Sequence, residues 1–299
     1  MTNDKKLIIK RIIIFYILSI LPLAVITPIM NSYFGEPIFT GETKNHSAVA
    51  LYGILGMTTP TIANIITRLI TKEGLKESYL SISMKNGKWK YYILSFIIPL
   101  VYGFIGFILI TNIFCSNMSD IINTADININ IWTIISCAGL ILFMLFPYFG
   151  EEFGWRAYLT PKLSKLFGEP VGILINGVLW GLWHTPLTLS GHNFGIDYKG
   201  FPFLGILLMC LMCICLSPLL TLLTKRTESV FPASIVHAVN NNASAMVILT
   251  LIANESVLIK VSEIEIIKLF FVMIVPMAIA GIISYIILLN DYRKEKCNK

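Results

Sequence analysis

Three short segments carry ionisable or amide side chains inside or beside otherwise apolar stretches. They are Gly150-Glu151-Glu152-Phe153-Gly154-Trp155-Arg156, Trp180-Gly181-Leu182-Trp183-His184-Thr185-Pro186, and His237-Ala238-Val239-Asn240-Asn241. In hydrocarbon such groups are costly, so those that remain are candidates for function. On a helix Glu152 and Arg156 are i and i+4 neighbours and can pair, while Glu151 points about 100° away and can address another helix. His237 and Asn241 share the same spacing and one face.

These are the parts needed to add water to an amide. Glu151, beside a Glu152–Arg156 pair, is placed to take a proton from water, with His184 orienting that water and later protonating the leaving amine. His237 and Asn241 can supply donors to the developing oxyanion. The same Glu151, His184 and His237 would also make a two-histidine, one-glutamate zinc set with an open position. Metal-free water activation is the favoured reading, and no other cofactor is called for. The chain has no His-Glu-x-x-His, no Gly-x-Ser-x-Gly and no Gly-rich phosphate loop, so zincin, serine-nucleophile and ATP-driven chemistry find no support. Cys210, Cys213 and Cys215 share one helix with no acid or histidine near them, which argues against a metal cluster.

Each segment alone has a simpler explanation: a solvated helix end with an ion pair, a hydrogen-bonded core histidine, or polar glue between helices. Together, with nothing comparable elsewhere, they favour a site. His46 and His192 fall in expected outer loops and are assigned no role. Asn240 and Asn242 flank the third segment and are expected to point elsewhere. Trp180, one turn before His184, is expected to pack beside it and restrict its rotamers.

Such residues must be positioned by membrane helices. The chain of 299 residues is 56% hydrophobic and only 13% charged, where a water-soluble domain carries roughly 25%. Apolar runs long enough to cross about 30 Å of hydrocarbon recur at about 10–30, 47–70, 91–113, 131–150, 171–190, 201–223, 231–252 and 267–290. The expectation is an all-α bundle of about eight transmembrane helices, a single domain over 1–299 with a motif-bearing core at about 130–250. The first run extends to Met30 without a small-residue cleavage site, so it reads as a retained helix rather than a signal peptide. Nineteen of the 23 Lys and Arg residues fall on one side of this arrangement. That asymmetry places both termini in the cytoplasm of a multi-pass cell-membrane protein. It also accounts for the net charge of +6 through anionic lipid, with no need for nucleic acid.

Depth imposes a further condition. Glu151 can meet His184 only if the fourth helix continues past Gly150 to about Pro161, with a kink expected near Pro147.

In this order, Glu151-Glu152-x-x-x-Arg156, Trp180-x-x-x-His184 and His237-x-x-x-Asn241 resemble the CPBP (Abi) family. That family comprises CAAX prenyl endopeptidases and bacteriocin-processing or immunity proteins. The resemblance covers roughly residues 130–250, and Trp180 stands where the family's motif usually has Phe, a swap expected to be harmless. It implies Glu151 as the catalytic glutamate, Glu152 and Arg156 as its motif partners, His184 as the second catalytic group, and His237 with Asn241 as the oxyanion pair. It also implies a bundle of about eight helices whose cavity opens to cytoplasm and bilayer. The expected partners are membrane lipid and a peptide or protein substrate arriving from the membrane or cytoplasmic side. Two other readings use the same residues: a non-catalytic immunity or partner-binding membrane protein, and a proton-coupled transporter. The transporter reading lacks an inverted repeat.

Overall fold

The computed structural model describes residues 2–40, 46–114, 145–242 and 264–298. Among the described residues the chain is helical, with one isolated antiparallel bridge between Leu80 and Ser229 and no strand. In order these are α1 (Asn3–Phe34), α2 (His46–Met57), α3 (Thr59–Ile70), α4 (Trp89–Phe114), α5 (residues 145–154), a π turn (Trp155–Leu159) and α6 (Thr160–Phe167). Then come α7 (Glu169–Trp183), α8 (Thr185–Thr188), α9 (Phe203–Thr227), α10 (Phe231–Asn242) and α11 (Ile266–Cys297).

Five segments are long and apolar enough to cross a membrane: Asn3–Phe34, His46–Ile70, Trp89–Phe114, Phe203–Thr227 and Ile266–Cys297. Many of their large apolar side chains, such as Ile17, Leu51, Ile97 and Ile283, face outward, as lipid-facing positions do. The expected fourth and seventh spans run partly into residues outside those described.

Two expected spans are interrupted, each at a proline. The stretch 47–70 is two helices broken at Thr58, because Pro60 at the start of α3 has no N–H to continue the α2 ladder. The Thr58 hydroxyl instead closes the turn on the Leu55 carbonyl at 2.7 Å. Likewise 171–190 is not one helix. It ends at Trp183, and Pro186 stands at the start of the single turn α8. His184 therefore caps the end of α7 rather than lying inside a continuous span, which corrects the expected placement.

The helix bearing the two glutamates does continue, as the depth condition requires. Pro147 lies within the α-helical part, and the described irregularity is the π turn at Trp155–Leu159. Widening a helix there disturbs its i to i−4 ladder, and π turns cluster at functional sites. Neighbouring side chains add donors to carbonyls along this segment. Thr61 donates to the Gly150 carbonyl at 2.7 Å, Asn64 to that of Phe153 at 2.8 Å, and Asn176 to that of Trp155 at 3.2 Å.

Glycine lets the helices around this segment approach closely. A Cβ on Gly154 would come within 2.4 Å of Pro60, so α5 nests against the break between α2 and α3. A Cβ on Gly181 would come within 2.4 Å of the Cys210 Cα, so α7 lies directly on the α9 backbone. In lipid, where apolar surface gains little from association, such small-residue seams are a main source of helix packing.

Candidate active site

The three motif helices bring all six expected residues to one place, on two sides of α5. On the back of α5, Glu152 is without exposure and touches two partners. Its Oε2 lies 3.2 Å from Arg156 Nε, and its Oε1 lies 2.8 Å from His237 Nδ1. The first contact is an ion pair rather than an aligned hydrogen bond. Arg156 is equally enclosed. Its Nη1 donates to Asn176 Oδ1 at 2.6 Å and its guanidinium stacks 4.4 Å from the Trp180 ring centroid. Glu152 is thus more than the partner of Arg156, because it also grips the imidazole of α10. Spacing alone revealed only the first contact.

On the front, Glu151 faces a cavity of about 540 Å³ that His184, His237 and Asn241 also line. Most of the remaining wall is apolar, including Ile110, Leu187, Met212, Leu216 and Phe270. Glu151 is 2% exposed and its Oε2 accepts a hydrogen bond from Trp180 Nε1 at 2.9 Å. Trp180 therefore does more than pack beside His184, whose ring lies 6.1 Å away. Against the Phe usual in the motif, Trp180 thus adds a donor to Glu151 that a phenyl ring lacks.

Hydrogen bonds assign the tautomers of both rings. His184 Nδ1 lies 2.9 Å from the Trp180 carbonyl, which can only accept, so Nδ1 carries the proton and the neutral ring keeps Nε2 as an acceptor. His237 Nδ1 donates to the Glu152 carboxylate, leaving Nε2 as the second nitrogen of that ring. The edge of Trp183 meets His184 at 4.7 Å, and Tyr148 and Trp180 hold His237 at 4.7 and 5.2 Å. These rings have little freedom.

Asn241 is oriented through its neighbour. The Tyr102 hydroxyl donates to Asn240 Oδ1, and Asn240 Nδ2 donates to Asn241 Oδ1 at 2.8 Å. With its oxygen engaged, Asn241 keeps its amide N–H groups as donors. Asn240, expected to point away, lines the cavity as well. The side chain of Asn242 lies outside the described residues.

His192 is the residue that the sequence reading missed. After α8 the chain turns back, tied to the Pro37–Thr40 turn by the Phe39 N–H to Ser190 carbonyl bond at 3.0 Å. His192 then lies parallel to His184 at 6.1 Å and against Phe39 at 5.1 Å, in the cavity wall. An apparent outer loop thus returns a third histidine to the site. The Asn31–Ser190 pairing that helps hold it joins residues far apart in the chain.

Among the described residues no three His, Cys, Asp or Glu side chains are grouped to hold a metal ion. Glu151, His184 and His237 all line the cavity, and each histidine has Nδ1 on a protein acceptor and Nε2 uncommitted, a state that serves a water-orienting ring and a zinc ligand alike.

Residues 132–243 match the family model described as type II CAAX prenyl endopeptidase Rce1-like. All three motifs fall within the match, and the resemblance drawn from them stands. No curated protein matches the chain. With its apolar helices, the chain is a multi-pass membrane protein, and the match supports an intramembrane protease.

Proposed function

We propose that the protein is an endopeptidase that hydrolyses a peptide bond of a membrane-associated substrate, prenylated or leader-bearing, using water activated by Glu151. One observation carries the reading: a buried carboxylate faces a largely apolar cavity of about 540 Å³ that it shares with three histidines and three asparagines, His184, His237 and Asn241 among them.

In this reading a water molecule donates one hydrogen to Glu151 Oε1 and the other to His184 Nε2. As its oxygen attacks the scissile carbonyl carbon, one proton passes to Glu151. The carbonyl oxygen becomes an oxyanion facing the Asn241 amide and, when its ring is doubly protonated, His237 Nε2–H. The tetrahedral species then collapses: the C–N bond breaks, the nitrogen takes the proton that Glu151 received, directly or relayed through His184 Nε2, and an acid and an amine leave. Donors fixed before the reaction cost no reorganisation when charge develops. The apolar wall would receive a lipid chain or apolar residues beside the bond.

The test uses purified protein in nanodiscs with two quenched peptides that differ only in an S-prenyl group on cysteine. Cleavage that survives a strong chelator and stops in His184→Ala supports the reading. Failure to cut either peptide, or full activity in His184→Ala, would refute it. Cleavage that disappears on chelation and returns with zinc would replace the metal-free route with the zinc one.

A further inference from the structure

Trp180 links four of the six site residues: Glu151, Arg156, His184 and His237. Its indole N–H donates to Glu151 Oε2 at 2.9 Å, and its face carries the Arg156 guanidinium at 4.4 Å. Its ring also meets His237 edge-on at 5.2 Å, and its backbone carbonyl accepts a hydrogen bond from His184 Nδ1. Trp180 is 1% exposed, so water does not compete for the indole. The three buried tryptophans around the site differ in this respect. Trp183 donates to the Ser19 carbonyl, Trp155 Nε1 has no hydrogen-bond partner, and Trp180 alone of the three addresses a carboxylate.

We propose that Trp180 is a positioning residue that selects which oxygen of Glu151 does the chemistry. An indole has a single donor and no acceptor, so this bond has one polarity and occupies one carboxylate oxygen. With Oε2 held, Oε1 is the oxygen turned to the attacking water. The same ring spaces Glu151 from the Arg156 cation, which stacks on the indole face rather than pairing with the catalytic carboxylate. Arg156 is thereby left to Glu152, and Glu151 stays available as a base. A phenyl ring could keep the stacking and the packing but would release Glu151 to rotate, presenting either oxygen at random. This inference rests on the hydrolytic reading above.

The test compares wild type with Trp180→Phe in nanodiscs, following cleavage kinetics and the infrared band of the Glu151 carboxyl group, identified by its disappearance in Glu151→Gln. The expected result is a KM within about twofold of wild type, a kcat reduced about 10- to 100-fold, and a displaced Glu151 band. A group that fixes a reacting atom acts on turnover rather than on binding, and a misplaced reacting group costs factors of this order. If Trp180→Phe fails to insert, benzothienylalanine at position 180 keeps the bicyclic shape and removes only the N–H. An unmoved band, an unchanged kcat, or a loss confined to KM would overturn the proposal. Its failure differs from failure of the hydrolytic reading: in the first case Glu151→Gln is inactive while Trp180→Phe keeps full turnover, and in the second Glu151→Gln itself remains active.

Discussion

Glu151 and Glu152 are adjacent in sequence yet stand in opposite kinds of environment. Glu152, at the back of α5, has a charged or polar partner on each oxygen, in Arg156 and His237, and no exposure. Glu151, at the front, has one indole donor and an open apolar cavity before it. The difference separates two duties. The back wall links α5 to α10, and in the proposed mechanism the front keeps a carboxylate short of partners so that a substrate and water can supply the rest. A buried ion pair costs much desolvation and is weak evidence of stability by itself. Here its use is geometric, because Glu152 joins α5 to α10 through His237.

Variants on the two sides should therefore fail differently. At the front, His184→Ala should lower kcat by about 10²- to 10⁴-fold, the range of a lost acid–base group, with the thermal unfolding midpoint nearly unchanged. At the back, Glu152→Gln leaves the Arg156 cation buried against a neutral amide and should destabilise the protein by about 3–5 kcal/mol. Denaturant unfolding would read that loss, and activity should fall along with it. Gly181→Val tests the seam that holds α7 in place. Its side chain would enter the Cys210 backbone, and overpacking of this kind costs about 1–3 kcal/mol, visible as a lower midpoint with some residual cleavage.

The smallest effect belongs to a cluster remote from both sides. Glu73 pairs with Lys162 at 2.6 Å and Arg11 at 3.2 Å, tying α1 and α6 to the loop after α3. Burial works against its carboxylate. The hydrogen bond from Lys162 and the charges of Lys162, Arg11 and Arg68 outweigh that burial and hold its pKa below the ordinary value. A depressed carboxylate stabilises the fold above its ordinary titration range and loses that contribution as pH falls through it. Glu73→Gln should therefore lower the unfolding midpoint slightly at neutral pH and leave no difference from wild type in acid. A difference that grows on acidification would contradict the assignment.

Much of this was legible in the sequence because lipid makes polar residues conspicuous. Glu151, Glu152, Arg156, His184, His237 and Asn241 stood out as exceptions in apolar runs, and i, i+4 spacing correctly paired Glu152 with Arg156. Continuation of the helix beyond Gly150 followed from depth alone. What spacing could not show was contact between distant segments. The indole bond to Glu151 crosses from α7 to α5, the His237 bond to Glu152 crosses from α10, and His192 returns through a loop held by Asn31 and Phe39. The breaks at Thr58 and His184 had a local signal in Pro60 and Pro186. Long apolar runs obscured it, since hydropathy reads a broken helix and a continuous one alike.

The most direct test of the division between the two glutamates is to measure turnover and thermal unfolding of Glu151→Gln under the conditions used for Glu152→Gln. The account predicts that Glu151→Gln loses turnover by a factor of about 10² to 10⁴ while unfolding at the wild-type temperature. Turnover retained in Glu151→Gln, or an unfolding midpoint lowered as far as that of Glu152→Gln, would contradict it.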